Sequence, residues 1–523
     1  MNTASMLLIT LPLVASPLIY LAGRLGRAAP AHLTVRNRGR SNAARWVALT
    51  ALALTWVPFI LTTLDLRTRG LARFTLQSAT LRIGGLEVFL TALALRMDGL
   101  SLLLSGLALA LGTLVVLFSG PYMAGEVGEE KYYAMLVAMI GAIIGLVCST
   151  DLFNLWIWFE AMAVTSYLLV AFYREQPASL EAGVKYLVQS ATGSVLVLLG
   201  IAIVLAQTGT LNLVLVRSVA HPAPAMLAAG ALFVIGFGVK AALVPLHTWL
   251  PDAHAQAPSG ISAMLSGVVI EAGLVALLRV LTALAGMTPS WGELLMGFGV
   301  LNILVGNLLA LRQTTVKRLL AFSSLTHVGY MLLGLGVGFY AGETAGVEGG
   351  LFHLLNHGLM KGLAFLAAGA LLYVLHTAAG DHAPLTIDDL AGASRRYPVA
   401  AVGLSVAVLG LGGLPPLAGF MSKWQILVAG FETHNLAVGA LIIFAALNSV
   451  LSLAYYAPLV NAVYRQQPSA AVERGQPLPV SMSAPLIAMA LAVVAIGVWP
   501  GLLRWLTGPA SEALLTAFSG WAG

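Results

Sequence analysis

The sequence Gly238-Val-Lys-Ala-Ala-Leu-Val-Pro-Leu-His-Thr-Trp-Leu-Pro251 interrupts a long apolar run with proline, first at Pro245 and again at Pro251. Proline removes a backbone hydrogen bond and breaks a helix. Broken backbone at membrane depth is tolerated only where protein surrounds it or where it lines a water-filled cavity. The stretch also carries Lys240, and a charge is costly at the centre of a membrane. It therefore predicts a functional break in a transmembrane helix.

A second stretch has the same character. Leu411-Gly-Gly-Leu-Pro-Pro-Leu-Ala-Gly-Phe-Met-Ser-Lys423 contains Pro415 and Pro416 and ends on a lysine, in a place that mirrors Lys240. Paired interrupted spans in two halves of a chain indicate an ion pathway in an inverted-repeat transporter. If each half has five spans, the odd number inverts the second half relative to the first. For Lys423 the alternative is a lysine that snorkels to the membrane surface; the neighbouring Trp424 and the break favour an interior position.

The composition indicates a polytopic membrane protein. Of the 523 residues 59% are hydrophobic and only 9% are charged, and the mean hydropathy is +0.91. An average soluble domain is about 25% charged. These values exclude a soluble globular enzyme, a disordered chain and a nucleic-acid module. The net charge of +6 is consistent with membrane orientation and with contacts to lipid headgroups.

The apolar runs predict an all-α integral membrane protein with about 14 transmembrane helices. The long loop at 65–96 contains alternating stretches that favour a short β-hairpin. The predicted spans are 6–21, 47–64, 100–117, 133–147, 152–172, 184–205, 226–244, 261–281, 294–311, 316–337, 351–375, 399–429, 436–463 and 486–506.

These spans divide the chain into four parts. Residues 1–119 hold the first three helices, 120–285 and 286–465 hold the two five-helix repeats, and 466–523 hold the last helix. The loop after the first span carries Arg24, Arg27 and four further arginines without an acid, which places it in the cytoplasm. Both termini of this inner-membrane protein are then expected outside. The charges of the basic loop 65–96 and of the acidic loop 125–131 do not agree with this orientation. We also expect no cleaved signal peptide.

Cys148 is the only cysteine of the chain. One cysteine cannot form an internal disulfide, a CxxC metal site or a ligated iron–sulfur cluster. Any redox chemistry is therefore expected on another chain, and Cys148 itself is predicted to be a buried thiol.

Two intramembrane charges are candidates for proton transfer. Glu160 lies near the middle of its predicted span among aromatic residues, and Lys240 lies five residues before Pro245. A lysine that alternately gains and loses a carboxylate partner acts as a proton switch, and these two residues are the candidate pair. The alternatives are a static ion pair and, for Glu160, a hydrogen-bonded neutral acid.

Glu271 and His327 lie inside two further predicted spans. Each is a candidate relay group, since histidine titrates near neutral pH. For Glu271 the alternative is a structural pairing with Lys185 or Lys240. For His327 it is a core histidine with satisfied hydrogen bonds.

His353, His357 and Lys361 follow one another at intervals of four residues and form a stripe on one helix face. Such a stripe suits a proton wire. The His-x3-His spacing also fits a metal, but no third ligand is near and Lys361 would repel a cation, so we predict no metal.

These residues resemble the antiporter-like subunits of respiratory complex I, a family shared with membrane-bound hydrogenases and multi-subunit Na+/H+ antiporters. The resemblance covers about residues 90 to 465. It is carried by Asp98-Gly-Leu-Ser, 151–160, Lys185-Tyr, 240–258, Lys317-Arg-Leu-Leu-Ala-Phe-Ser-Ser-Leu-Thr-His-Val-Gly-Tyr, the 353–361 stripe and Leu414-Pro-Pro-Leu-Ala-Gly-Phe.

The resemblance implies a fourteen-helix fold with two inverted five-helix repeats, and proton translocation driven by redox chemistry elsewhere. It implies that Glu160 and Lys240 form the pair and that Lys423 takes the terminal position. The central axis would be lined by His327, His353, His357 and Lys361. Glu271 departs from the family, in which most relatives have lysine or histidine. The given sequence ends soon after the fourteenth predicted span. In this respect it is more similar to the M or N type subunit of complex I, or to the D type subunit of the multi-subunit antiporters, than to the L type subunit of complex I.

The expected function is that of a proton-translocating subunit of a complex I-like NADH:quinone oxidoreductase. FMN, iron–sulfur clusters and quinone are then expected in partner subunits, with none in this chain, in a hetero-oligomer with other membrane subunits and lipids. The alternatives are a subunit of a multi-subunit Na+/H+ antiporter, a subunit of a hydrogenase or CO2-hydrating complex, and a structural spacer.

Overall fold

A computed structural model describes residues 3–27, 42–69, 73–75, 80–83, 86–89, 94–288, 290–377 and 383–519. Most of these residues are helical. The arginine-rich loop that we expect in the cytoplasm lies largely outside the described residues, since 28–41 are not among them.

The first part of the chain contains eleven helices. These are α1 Thr3–Arg27, α2 Asn42–Arg69, α3 Gly99–Tyr122, α4 Glu129–Cys148, α5 Leu152–Val170, α6 Pro177–Thr208, α7 Leu213–Val219, α8 Pro224–Lys240, α9 Trp249–Gln256, α10 Ser259–Met264 and α11 Ile270–Ala283. A π-helical turn, Leu265–Val269, joins α10 to α11.

The second part continues from a short 3-10 turn, Ala285–Met287. It comprises α12 Trp291–Ala310, α13 Val316–Ala341, α14 Thr344–Leu375, α15 Ala393–Arg396, α16 Pro398–Gly412, α17 Ala418–Glu432, α18 Leu436–Val463, α19 Ala470–Arg474, α20 Val480–Val498 and α21 Arg504–Ser519. Two more 3-10 turns lie at Asp388–Leu390 and Pro500–Leu503.

The predicted number of spans is confirmed. Within the described residues twelve helices are long and apolar enough to cross a membrane, with Ser259–Ala283 counted as one. The two interrupted spans, α8 with α9 and α16 with α17, complete the fourteen. They are interrupted around Pro245 and around Pro415 and Pro416, as predicted, whereas the predicted break at Pro251 is wrong, since this proline lies in the first turn of α9, where a missing amide costs no helical bond.

The last predicted span is wrong at its C-terminal end. Its helix starts at Val480 and ends at Val498, not at residue 506, and α21 follows as a separate helix. The reason lies in Pro500, because a residue before proline is pushed out of the helical conformation. Trp499 accordingly has φ −132° and ψ 74°.

The long loop between α2 and α3 contains the predicted β-structure. Strands β2 (Thr80–Ile83) and β3 (Leu86–Phe89) form an antiparallel hairpin, with Leu81 opposite Val88. Strands β1 (Arg73–Thr75) and β4 (Ala94–Arg96) pair on either side of it.

The helices differ sharply in burial. In the spans Ser259–Ala283 and Val316–Ala341 every residue of the most apolar segment is buried, and in α14 most of them are. In α1, α2 and α18 most residues of that segment are not buried. Cys148 is buried, as predicted. The three central helices carry the polar residues of the candidate site, so those residues are shielded by the surrounding spans.

Both breaks leave backbone groups without helical partners, and buried side chains satisfy them. At the first break Asn302 accepts a hydrogen bond from the Val244 amide at 2.9 Å and donates to the Ala242 carbonyl at 3.1 Å. At the second break Asn356 donates to the Ala418 carbonyl at 3.0 Å. Unpaired buried backbone groups are costly, so Asn302 stabilises the first interruption. Ala418 is the first residue of α17, where a carbonyl also has a helical partner, so the bond from Asn356 ties α14 to this half-helix.

Candidate functional site

A buried row of titratable side chains occupies the centre of the protein. Glu271 of α11 contacts His357 of α14, with 2.9 Å between Oε1 and Nδ1. His327 of α13 lies beside His357, with ring centroids 5.4 Å apart. All three side chains are inaccessible to solvent or nearly so.

The row continues toward α17. His327 Nδ1 lies 3.0 Å from His353 Nε2, and His353 Nδ1 lies 2.9 Å from the hydroxyl of Ser422. Tyr456 adds a contact of 3.4 Å to the other ring nitrogen of His327. The predicted histidines of the central axis are therefore brought together, and Ser422 and Tyr456 are additions that sequence reasoning missed.

The row consists of two hydrogen-bonded segments. The first is Glu271–His357 and the second is Tyr456–His327–His353–Ser422. Among the described residues, His357 Nε2 and Glu271 Oε2 are buried without a hydrogen-bond partner. Proton transfer between the segments therefore needs a ring movement or a bridging water molecule.

Glu271 does not have the partner that we considered in the sequence. Its carboxylate pairs with His357, whereas Lys185 pairs with Glu181 at 2.7 Å and with Asp252 at 3.0 Å. The expected pairing of Glu271 with Lys185 or Lys240 is wrong.

Close packing of two glycines explains this choice. The π-helical turn before Glu271 contains Gly267, and an added Cβ there would lie 2.9 Å from the carbonyl oxygen of Gly358. The turn and α14 can approach only because neither residue has a side chain. This contact places the start of α11 against the face of α14 that carries His357.

Lys361 completes the predicted stripe on α14. Its ammonium donates to the Leu320 carbonyl at 2.7 Å and to the hydroxyl of Ser323, both on α13. Within the part of the chain that the structure describes, no three His, Cys, Asp or Glu side chains are grouped so that they could hold a metal ion.

Lys240 lies in a cage of hydroxyl and aromatic groups. It donates to the Tyr186 hydroxyl at 2.9 Å and to Ser190 at 3.1 Å, and it faces the rings of Tyr186 and Phe159. Glu160 is half-buried, and between these two described residues no ion pair forms within 4 Å. The structure thus does not bring the candidate pair into direct contact.

Lys423 is buried, so the snorkelling alternative is wrong. It donates to the Leu411 carbonyl at 2.8 Å and to Ser449 at 2.9 Å, and lies 4.6 Å from the centre of the Tyr330 ring. Trp424, which favoured this interior position in the sequence, itself points outward and is 53% exposed.

The prolines of the breaks differ in exposure. Pro245, Pro415 and Pro416 are exposed on the surface of the chain, whereas Pro251 is buried within α9. The unwound segments themselves thus reach the periphery, while the lysines point to the interior.

Lys317 of α13 is a buried charge that was not predicted as a site residue. Lys317 donates to the Ala257 carbonyl at 2.5 Å and to the Ala255 carbonyl at 3.3 Å, at the C-terminal end of α9. A cation at this end of a helix is favourable. The sequence signal was its position at the start of an apolar span, in a stretch that carries the family resemblance.

Arg279 of α11 holds Asp98, the N-cap residue of α3, with two hydrogen bonds of 2.5 and 2.7 Å. Burial raises the pKa of Asp98, but the charge and hydrogen bonds of Arg279 outweigh it and lower the pKa to about 2. This carboxylate therefore stays ionised, and the pair acts as a static tie between helices.

Comparison with known proteins identifies the family. Residues 149–452 match the family described as NADH:quinone oxidoreductase/Mrp antiporter, transmembrane region. The chain belongs to this family, so it is an antiporter-like membrane subunit.

Two curated relatives are similar over most of their length. F420H2 dehydrogenase subunit N of Methanosarcina mazei is 34% identical over 380 residues, which cover 71% of this chain and 75% of that protein. NADH-quinone oxidoreductase subunit N of Desulforudis audaxviator is 31% identical over 401 residues, which cover 72% and 76%.

Solved structures share the fold. A chain of the membrane-bound sulfane sulfur reductase, an archaeal respiratory membrane complex, has a TM-score of 0.83 at 27% identity and 99% coverage of both chains. A chain of respiratory complex I from Thermus thermophilus has a TM-score of 0.72 at 26% identity, covering 95% and 98%. A chain of the Mrp complex from Dietzia sp. reaches 0.82 at 20% identity, covering 100% and 98%, and this likeness concerns the fold alone.

Proposed function

We propose that this chain is a proton-translocating membrane-arm subunit of a complex I-like NADH:quinone oxidoreductase. The buried row from Glu271 to Ser422 carries the proposal. Histidine both donates and accepts protons near neutral pH, and each neighbouring pair within the two segments is within hydrogen-bond distance. The row therefore suits stepwise proton transfer through the centre of the membrane.

We propose that the lysines donate protons to this row and accept protons from it. Lys240, Lys361 and Lys423 are buried with hydroxyl and carbonyl partners, and no acid lies within ion-pair distance of their ammonium groups among the described residues. A buried charge in a membrane span is costly unless neighbouring groups compensate it, and such charges mark functional sites. A proton that leaves one of these lysines for the histidine row removes this cost, so movement of a nearby charge such as that of Glu160 would bias the transfer.

Glu271 is proposed to take the middle step. Its carboxyl group is buried against His357, and one of its oxygens is unbonded among the described residues. A protonated Glu271 can donate its proton to His357, and a deprotonated one stabilises the imidazolium. A carboxyl–imidazole pair thus occupies the position where most relatives are expected to have lysine or histidine.

The partners of the chain are proposed from its relatives. Two curated relatives, at 34% and 31% identity, are named as subunits of a dehydrogenase and of a quinone oxidoreductase. We therefore expect a hetero-oligomer in which other subunits hold FMN, iron–sulfur clusters and quinone. We place the chain in the inner membrane among lipids, with both termini outside.

A second candidate is a subunit of a multi-subunit Na+/H+ antiporter, favoured by the full-length fold similarity to a chain of the Mrp complex. The two differ in what drives transport. A redox complex moves protons only when an electron donor is supplied, whereas an antiporter exchanges sodium for protons without one.

The test uses the native complex, purified with a tag on this chain and reconstituted into vesicles. Mass spectrometry with iron and flavin assays identifies the partners, and donor-driven acidification measures transport. We expect Glu271→Gln to lower proton transport about tenfold or more, and the exposed Glu293→Gln to leave it unchanged. Sodium-driven transport without a donor, in a complex that lacks iron and flavin, would favour the antiporter.

A further inference from the structure

A cavity lies between α14 and α17 at the ends of these helices that we expect to face outward. One wall is a face of α17 with Met421, Gln425, Val428 and Glu432, and the other is formed by Ala345, Glu348 and Phe352 of α14. The cavity has a volume of about 440 Å³. A second cavity shares Ala345, Ala429 and Glu432 with it and extends to Glu343.

The floor of the cavity adjoins the histidine row. Phe352 and Met421 line it, and their chain neighbours are His353 and Ser422, which are hydrogen-bonded to each other. Through these two chain neighbours the row lies next to the cavity, which leads from there to the helix ends.

The roof of the cavity is formed by the 3-10 turn Pro500–Leu503 and the start of α21. Pro500, Gly501, Arg504 and Thr507 close it from above. Thr507 donates a hydrogen bond of 3.2 Å to Glu348, and the Arg504 guanidinium lies 3.9 Å from the same carboxylate oxygen.

The rest of α21 is a strap across neighbouring helix ends. Phe518 stacks on Phe339 near the end of α13, with ring centroids 3.9 Å apart. Arg217 of α7 donates to the Thr516 carbonyl at 3.2 Å. At the start of α3, an added Cβ on Gly99 would lie 2.7 Å from the Ala510 nitrogen. The strap is thus fixed along its length on the same side of the protein as the cavity.

We propose that this cavity is the outward proton outlet, that Glu348 is the carboxylate that receives the proton there, and that the strap α21 controls the outlet through Arg504 and Thr507. The proposal rests on the proposed proton pathway and adds its exit. A proton that reaches Glu348 neutralises the carboxylate and weakens its attraction to Arg504. The outlet then loosens, the proton leaves to the outer water, and the ion pair forms again.

The first test measures access to the cavity from outside. In the native complex in oriented membranes, we expect Met421→Cys to react with a membrane-impermeant thiol reagent added on the outer side. Met360→Cys, on a buried position of α14, is the matched control, and the parent chain has only the buried Cys148. Adding Arg504→Ala to Met421→Cys should speed the reaction severalfold, because the roof loses its ion pair.

Two results would contradict the proposal that this cavity is the proton outlet. One is reaction of the Met421→Cys variant no faster than that of the Met360→Cys variant. The other is reaction from the inner side only. Labelling needs no transport, so it decides this point even if the complex moves no protons and the proposed function fails.

The second test measures the role of Glu348. We expect Glu348→Gln to lower donor-driven proton transport about tenfold, Glu348→Asp to restore most of it, and the exposed Glu512→Gln on α21 to leave it unchanged. Unchanged transport by Glu348→Gln would exclude this carboxylate as the receiving group. An equal loss in the Asp variant would indicate a packing role instead.

Discussion

The two broken spans satisfy their free backbone groups in different ways. At the first break Asn302 satisfies the free amide and carbonyl groups, and Lys240 lies apart from them in the cage of Tyr186 and Ser190. At the second break Lys423 itself binds the Leu411 carbonyl. Lys240 is the last residue before its break, whereas Lys423 lies in the half-helix after its own.

The difference separates two duties of a buried lysine. Lys240 is bound only by hydroxyl groups and aromatic rings, so its proton can leave without unravelling the helix. Lys423 holds a carbonyl of the break, so its ammonium is also part of the structure. We infer that the first break keeps transport and folding apart, while the second couples them.

The largest expected effect is on Asn302. Asn302→Leu leaves a buried amide and a buried carbonyl unpaired, which costs about 1–3 kcal/mol for each group. Asn356→Leu removes one bond at the second break and should cost less. Thermal unfolding of the purified complex measures both, and equal midpoints for the two variants would contradict the account of the breaks.

The lysines test the comparison directly. Lys423→Met should lower both proton transport and unfolding free energy, the latter by about 1–3 kcal/mol because the Leu411 carbonyl loses its partner. Lys240→Met should abolish transport and leave stability near that of the parent. Acidification of vesicles and thermal unfolding are measured on the same samples. If Lys240→Met destabilises the chain as much as Lys423→Met, the proposed separation is wrong.

The smallest effects concern the hydroxyl partners. Tyr186→Phe keeps the ring beside Lys240 but removes one hydrogen bond, worth about 0.5–1.5 kcal/mol. Ser449→Ala removes the bond to Lys423 and also one to the Gly412 carbonyl. We therefore expect a lower transport rate for both variants and a larger fall in the unfolding midpoint for Ser449→Ala, which loses two bonds, than for Tyr186→Phe, which loses one. The exposed Tyr464→Phe is the control, with neither change expected.

Much of the fold follows from local sequence. Apolar runs predict the fourteen spans, and the prolines predict both interruptions, because hydropathy and missing amide groups act within a few residues. The end of the last span was missed for a local reason too, since Pro500 was given too little weight after Trp499.

The candidate site was predictable only in part. The stripe of His353, His357 and Lys361 follows from helical spacing alone. The partner of Glu271 does not, because it depends on the close approach of Gly267 and Gly358 from distant parts of the chain. Asn302 was missed in the same way, as an uncharged residue whose role appears only when the first break packs against α12.

The gap between His357 and His327 has a consequence for energy storage. A membrane that holds a proton gradient must insulate as well as conduct, and a fully bonded chain of histidines would let the gradient run down. Because His357 Nε2 has no hydrogen-bond partner among the described residues, the resting pathway is interrupted between the two segments. In the proposed proton pathway, the leak then depends on how often the two rings approach each other, and transport is productive only when the rest of the complex controls that approach.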